Sequence, residues 1–205
     1  MLEELGVSYR VHPVNIGAGE QFAPSFLAVA PNNKIPAIVD NETGVSLMES
    51  GAILIYLARK YEKFLPQNAG DEAEVLQWVM WQMGGFGPIL GQLMHFNSVQ
   101  EEQSGYAQNR FLQEAQRLYG VLDQKLNGQD FVCAVLSIAD FAIWPWVARA
   151  EPQGISLGDY PNVSRWYQAL RQRPGFERGY HKPNKVADVP MPVSQAIAAD
   201  AERSE

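Results

Sequence analysis

Cysteine is almost absent from this 205-residue chain, where Cys133 stands alone. A single thiol excludes an internal disulfide and any Cys-based metal cluster. Histidine is nearly as scarce, and His12, His95 and His181 share no metal-ligand spacing, so no metal is expected. Positive charge is in deficit: 16 Lys and Arg stand against 23 Asp and Glu, a net charge of −7. A surface of that sign repels phosphate backbones and argues against nucleic acid as a partner. No apolar run approaches the roughly 18 residues a membrane helix needs. No basic stretch followed by an apolar one opens the sequence, so neither a membrane nor secretion is expected and the cytoplasm is the expected compartment. There is no Gly-x-Ser-x-Gly elbow, no His-Glu-x-x-His helix and no internal repeat.

What is present is apolar and aromatic: 46% hydrophobic residues, with five Trp, eight Tyr and nine Phe, enough for two small domains. Residues 1–6 read as the end of a helix stopped by Gly6. Tyr9, Val11 and Pro13 alternate with Ser8, Arg10 and His12, a strand pattern. Residues 17–21 form a loop and 24–30 a short helix. Residues 35–39, IPAIV, and 45–48 flank the turn Asn41-Glu42-Thr43-Gly44 and predict a hairpin. From Ser50, a good N-cap, Ile53, Leu54, Leu57 and Tyr61 fall at helical spacing. Residues 64–70, with Pro66 and Gly70, read as a linker. Beyond it the pattern is all helical: one long helix over 71–96, others over 105–126, 137–150 and 162–173, the third apolar nearly all round. The expected domains are therefore 1–63 and 71–182, followed by a tail, 183–205, disordered or draped on the surface.

Two neighbouring segments carry the chemistry: PNNKIPAIVD at 31–40 and LMESGAI at 47–53. Ser50 opens a helix, where free N–H groups and the positive dipole end favour an anion. Glu49 beside it offers the opposite charge for an ammonium group. Read alone, the pair is an ordinary helix start with an acid next to it. Ser137-Ile138-Ala139-Asp140 has the spacing of a capping box and is structural. Gly84-Gly85-Phe86-Gly87-Pro88 lacks the following Lys-Ser/Thr of a phosphate loop and reads as close helix approach with a kink at Pro88. Cys133 lies among apolar residues and is expected to be a buried, inert thiol. His95 is expected in a core or surface role.

These segments resemble the glutathione site of glutathione transferases. The resemblance runs to about residue 175 and is narrowest with the bacterial nu class: Gly19-Glu20-Gln21-Phe22, the stretch 46–57, the Trp-rich stretch 77–92, and Ser137-Ile138-Ala139-Asp140 with Trp144-Pro145-Trp146. It implies a thioredoxin-like α/β domain followed by an all-helical one, a homodimer, and glutathione as cosubstrate. It implies that Pro36 is cis, so that Ile35 offers its N–H and C=O to the cysteinyl part of glutathione as an added strand. It implies glutathione contacts from Gln21, Lys34, Ile35, Pro36, Glu49, Ser50 and Arg110, and binding of glutathione or glutathione disulfide with reduction of small disulfides or conjugation of electrophiles.

The same likeness marks two departures. The family opens with a strand and a loop bearing Thr or Asn that donates to the glutathione sulfur; the sequence begins after both, so no catalytic residue is assigned and a poor, marginally stable enzyme is expected. The turn before Ser137 is apolar rather than Gly-rich. Two readings follow: a glutathione-dependent transferase or disulfide reductase, or a catalytically impaired glutathione-binding or interaction module on the same fold.

Overall fold

The computed structural model describes residues 1–99 and 101–192. The N-terminal half opens with α1 (Leu2–Leu5), ended by Gly6 in the left-handed conformation at φ 68°. Short 3-10 turns at Ile16–Ala18 and Glu20–Phe22 lead to α2 (Pro24–Leu27). The hairpin follows: β1 (Ala37–Val39) pairs antiparallel with β2 (Ser46–Met48), Ala37 opposite Met48. Helix α3 (Ser50–Tyr61) then packs Ile53, Leu57 and Ala58 inward.

A network at the back of the hairpin fixes it to α3. The Tyr56 hydroxyl donates to Asp40 Oδ2 at 2.6 Å, and Lys60 Nζ reaches Asp40 at 2.5 Å and Glu42 at 2.7 Å. Donation from Lys60 and Tyr56 holds the Asp40 carboxyl well below the usual carboxylate range, and the pair of acids raises Lys60.

The helical half begins at Asn68, whose side chain accepts from Asp71 N–H at 3.0 Å and caps α4 (Ala69–Trp81). After the π segment Gln82–Phe86 come α5 (Gly87–Asn97), α6 (Glu101–Lys125) and the buried α7 (Ile138–Val147). Helices α8 (Pro161–Arg171) and α9 (Pro174–Tyr180) complete it. The core gathers around α7, where Ile138, Ile143 and Trp144 are buried with Leu90, Leu122, Trp166 and Tyr167. Residues 64–65 of the expected linker are anchored: Phe64 meets Phe141 edge-on at 4.9 Å, and its carbonyl accepts from Ile138 N–H. Of the expected tail, Val189 is buried, while 193–205 lie outside the described residues.

Three expectations need correction. Residues 8–14 form no strand; a period of two makes a strand only when a neighbour supplies hydrogen bonds, and among the described residues the sheet has two strands, β1 and β2. Tyr9 and Val11 are accordingly exposed. The helix expected over 71–96 is split by the π segment, in which Gly87 N–H reaches back five residues to Gln82 C=O. The cap of α3 is Glu49, and Ser50 is its first helical residue. The close approach expected at the glycine run is present at Gly87, where a Cβ would lie 2.4 Å from Gln82 Nε2 and 3.2 Å from the Trp146 ring.

Candidate functional site

The Ile35–Pro36 peptide is cis, and Ile35 is 52% exposed. β1 starts at the next residue and is hydrogen-bonded on one side to β2, so its other edge is open among the described residues. The hairpin register then makes the site. Because Ala37 faces Met48, Pro36 and Glu49 occupy the adjacent position, and the open edge at Ile35 lies beside the start of α3.

Glu49 sits at φ 69°, ψ 113°, outside the regions favoured by residues with a Cβ. Such a conformation costs on the order of 1–3 kcal/mol and is retained where the surroundings require it. Its side chain is exposed and accepts from Asn32 Nδ2 at 3.3 Å, which ties it to the loop before Pro36. The first bond of α3 runs from Ile53 N–H to Glu49 C=O at 2.9 Å, leaving the N–H groups of Ser50, Gly51 and Ala52 ahead of the helix ladder. The Ser50 hydroxyl donates to Met83 Sδ at 3.7 Å.

The other candidates are less tightly gathered. Gln21 lies in the turn Glu20–Phe22, and its Oε1 is buried without a hydrogen-bond partner, an orphan that a ligand donor could satisfy. Lys34 is exposed, with no ion pair among the described residues. Arg110 is exposed on α6, and no hydrogen bond or ion pair joins it to Glu49, Ser50 or the Ile35 edge among the described residues. Sequence reasoning singled out neither Asn32 nor Met83, although they lie within the segments 31–40 and 77–92, because what distinguishes them is a contact with Glu49 and with Ser50, distant in the chain.

Groups outside this surface have other tasks. Cys133 is 4% exposed, and burial above all pushes its thiol up to about 12, so it is un-ionised at neutral pH. Asp140 accepts from Val132 N–H and Trp166 Nε1 at 2.9 Å, and from both the N–H and the hydroxyl of Ser137. Burial pushes its carboxyl up against those four bonds. His95 is exposed beside Phe96. Two cavities lie away from the Ile35–Ser50 surface. One, of about 270 Å3, is lined by Phe64, Glu74, Cys133 and Val135; the other, of about 530 Å3, by Val147, Ile155, Tyr167 and Pro190. An open edge that pairs with an extended peptide is a shallow surface, and a deep cavity is not required there. Among the described residues no group of three or more His, Cys, Asp and Glu could hold a metal ion, and no helix is long and apolar enough to cross a membrane.

A cis-proline strand edge beside a helix start, backed by an all-helical domain, defines a two-domain protein with a thioredoxin-like first half. Residues 1–59 match the family model for the glutathione S-transferase N-terminal domain, and 105–169 match that for the C-terminal domain. The chain belongs to the glutathione S-transferase family. It is 46% identical over 179 residues to a disulfide-bond oxidoreductase of Escherichia coli strain K12, YfcG, covering 84% of this chain and 83% of the relative. A glutathione transferase from Burkholderia graminis, solved with two glutathione molecules per subunit, is 41% identical with a TM-score of 0.83, covering 89% of this chain and 81% of that one. One from Pseudomonas putida, solved with one glutathione disulfide per subunit, is 36% identical with a TM-score of 0.85, covering 89% and 84%.

Proposed function

We propose that this chain binds glutathione and glutathione disulfide at the Ile35–Ser50 surface and serves glutathione-dependent reduction of small disulfides, with thiol transfer to electrophiles as the related activity. The observation that carries this reading is the adjacency set by the hairpin register: an open main-chain edge at Ile35 lies next to a helix N-terminus with an acid at its cap. The edge takes the cysteinyl residue by main-chain pairing. The N–H groups of Ser50 and Gly51 take the γ-glutamyl carboxylate. Glu49 takes the ammonium group, and Gln21 and Lys34 supply further polar contacts, with Arg110 from the helical half.

Cys133 is buried and un-ionised, so the attacking thiolate is glutathione's own. That thiolate attacks one sulfur of the substrate disulfide. The S–S bond breaks, and the leaving thiolate takes a proton. A second glutathione thiolate attacks the mixed disulfide, giving glutathione disulfide and the second thiol. The chain's part is to hold the tripeptide extended so that its sulfur meets the substrate in line; no residue described here is assigned as the donor to that sulfur.

The reading extends to a cytoplasmic homodimer. A chain with one buried thiol suits a reducing compartment. Met80 on α4, 55% exposed, and Tyr106 on α6, 84% exposed, leave apolar surface on the helical half for a second copy. The test is titration calorimetry of the full chain with glutathione and with glutathione disulfide, a turnover assay with hydroxyethyl disulfide, and light scattering for the mass. Saturable binding, consumption of two glutathione molecules per disulfide, and twice the chain mass are expected. Absence of binding by either ligand overturns the site assignment, and binding without turnover leaves the binding module in its place.

A further inference from the structure

The turn before the cis peptide carries a side chain that reaches the acid at the cap of α3. Ala30 is buried, Pro31 follows it, and Asn33 N–H closes the turn on Ala30 C=O at 2.9 Å. Proline presets the first central position of such a turn, so Asn32 occupies the second with its backbone fixed from both sides. Its Nδ2 donates to Glu49 Oε1 at 3.3 Å, across a separation of 17 residues in the chain. A carboxylate only accepts, so the contact also decides which end of the amide faces Glu49. Backbone strain gathers at both ends of this contact. Among the described residues, four that are not glycine have positive φ: Glu62 and Phe64 follow the helical run of α3, and the other two are Glu49 at 69° and Asn33 at 47°. Such strain persists where the surroundings over-determine it, and ligand clamps are one place where it collects.

We propose that Asn32 is a positioning residue for the ammonium end of the ligand, acting through Glu49; this rests on the glutathione reading above and narrows it, since the effect reaches only ligands that carry a free α-ammonium group. An exposed glutamate left to itself samples several staggered positions, most of which carry its carboxylate away from the strand edge. Asn32 stands three residues before Ile35, so a bond from it draws the carboxylate toward the loop that leads into that edge. The bond survives occupation of the site. Asn32 takes Oε1, and Oε2 stays open to the ammonium group, because a carboxylate has room for several donors. With the same bond present before and after binding, Glu49 is already ordered when the ligand arrives, and the cost of ordering it no longer subtracts from affinity. Holding one of three staggered positions at a single torsion is worth a factor of about three. Main-chain pairing at Ile35 and the N–H groups of Ser50 and Gly51 do not pass through Asn32, so the cysteinyl and carboxylate contacts are independent of it.

The test compares two ligands on the full chain by calorimetry: glutathione, and glutaryl-cysteinyl-glycine, the analogue in which hydrogen replaces the α-amino group, its weaker binding read by competition with glutathione. The variants are Asn32→Ala, Glu49→Ala and the pair. Asn32→Ala is expected to weaken glutathione binding about threefold and to leave the affinity for the analogue and the melting temperature unchanged. In the Glu49→Ala background the same change is expected to affect neither ligand. Equal losses for both ligands would make Asn32 a support of the loop or the strand edge and overturn the proposal. A gain in glutathione affinity would make the amide a competitor of the ammonium group for the acid and overturn it equally. A parent chain that binds both ligands alike lacks the ammonium contact, and the proposal goes with it. If the parent binds neither ligand, the site assignment falls as well; if it prefers glutathione and Asn32→Ala leaves that preference intact, this proposal alone is removed.

Discussion

Glu49 is expected at the site for its charge, and the structure gives it a backbone role that the sequence does not mark. Its ammonium ligand is what the resemblance to glutathione transferases implies, and read alone it is an acid beside a helix start. Serine is the better cap by preference, yet the chain caps α3 with Glu49 at φ 69° and starts the helix with Ser50. The hairpin imposes this: with Met48 held opposite Ala37, the chain must turn within one residue to enter the helix. Glu42, by contrast, sits on the hairpin turn, largely exposed and paired with Lys60. Glu49→Ala should therefore weaken glutathione binding by roughly 1.5–3 kcal/mol, the range for a hydrogen bond to a charged group, while Glu42→Ala leaves it within about twofold. Calorimetry on both variants decides the matter, and equal affinities would remove Glu49 from the site.

Elements were legible where the signal is local and lost where it depends on a distant partner. The hairpin, α3 and the capping box of α7 follow from residues within a few positions of one another. The alternation at residues 8–14 has the right period, but no strand pairs with it among the described residues. The π segment is invisible to a 3.6-residue period, since the one-residue slip within 82–86 leaves the apolar pattern on either side intact. Gln21 and Arg110 were named from family likeness alone, and nothing local in their sequence surroundings marks them. The capping box does more than its spacing promises: Asp140 also takes N–H groups from Val132 and Trp166, joining the apolar turn and α8 to the start of α7. Asp140→Ala would strand those buried donors together with the Ser137 N–H, each at about 1–3 kcal/mol. Urea unfolding should show a loss of at least about 3 kcal/mol, and a loss under 1 kcal/mol would mean that the turn reorganises freely around the gap.

At the scale of the whole molecule, an ionic clasp connects the beginning of the N-terminal half to the last helix of the other. Arg173 Nη2 meets Glu4 at 2.6 Å, and Arg178 Nε meets Glu3 at 2.7 Å. The approach is close enough that a Cβ on Gly175 would lie 2.4 Å from Glu4 Oε1, so any larger residue on α9 at that point would push the Glu4 side chain from its place. Glu3 also accepts from the Tyr9 hydroxyl at 2.6 Å, and this bond, followed by that from Arg178, pulls its carboxyl from an ordinary 4.5 down to about 2. A carboxyl depressed by folding contributes fully above its unfolded value and loses that contribution as the pH falls toward the folded one. The clasp should thus be intact above about pH 4.5 and weaken progressively down to pH 2. Thermal melts of the parent chain and of Glu3→Gln across pH 6 to 2 test this. The parent should melt higher at pH 6, and the gap should close through the window between 4.5 and 2 as protonation makes the two side chains alike. A gap that stays constant to pH 2 would show that Glu3 is not held by Tyr9 and Arg178 in solution, leaving the Arg173–Glu4 pair as the clasp between the two halves.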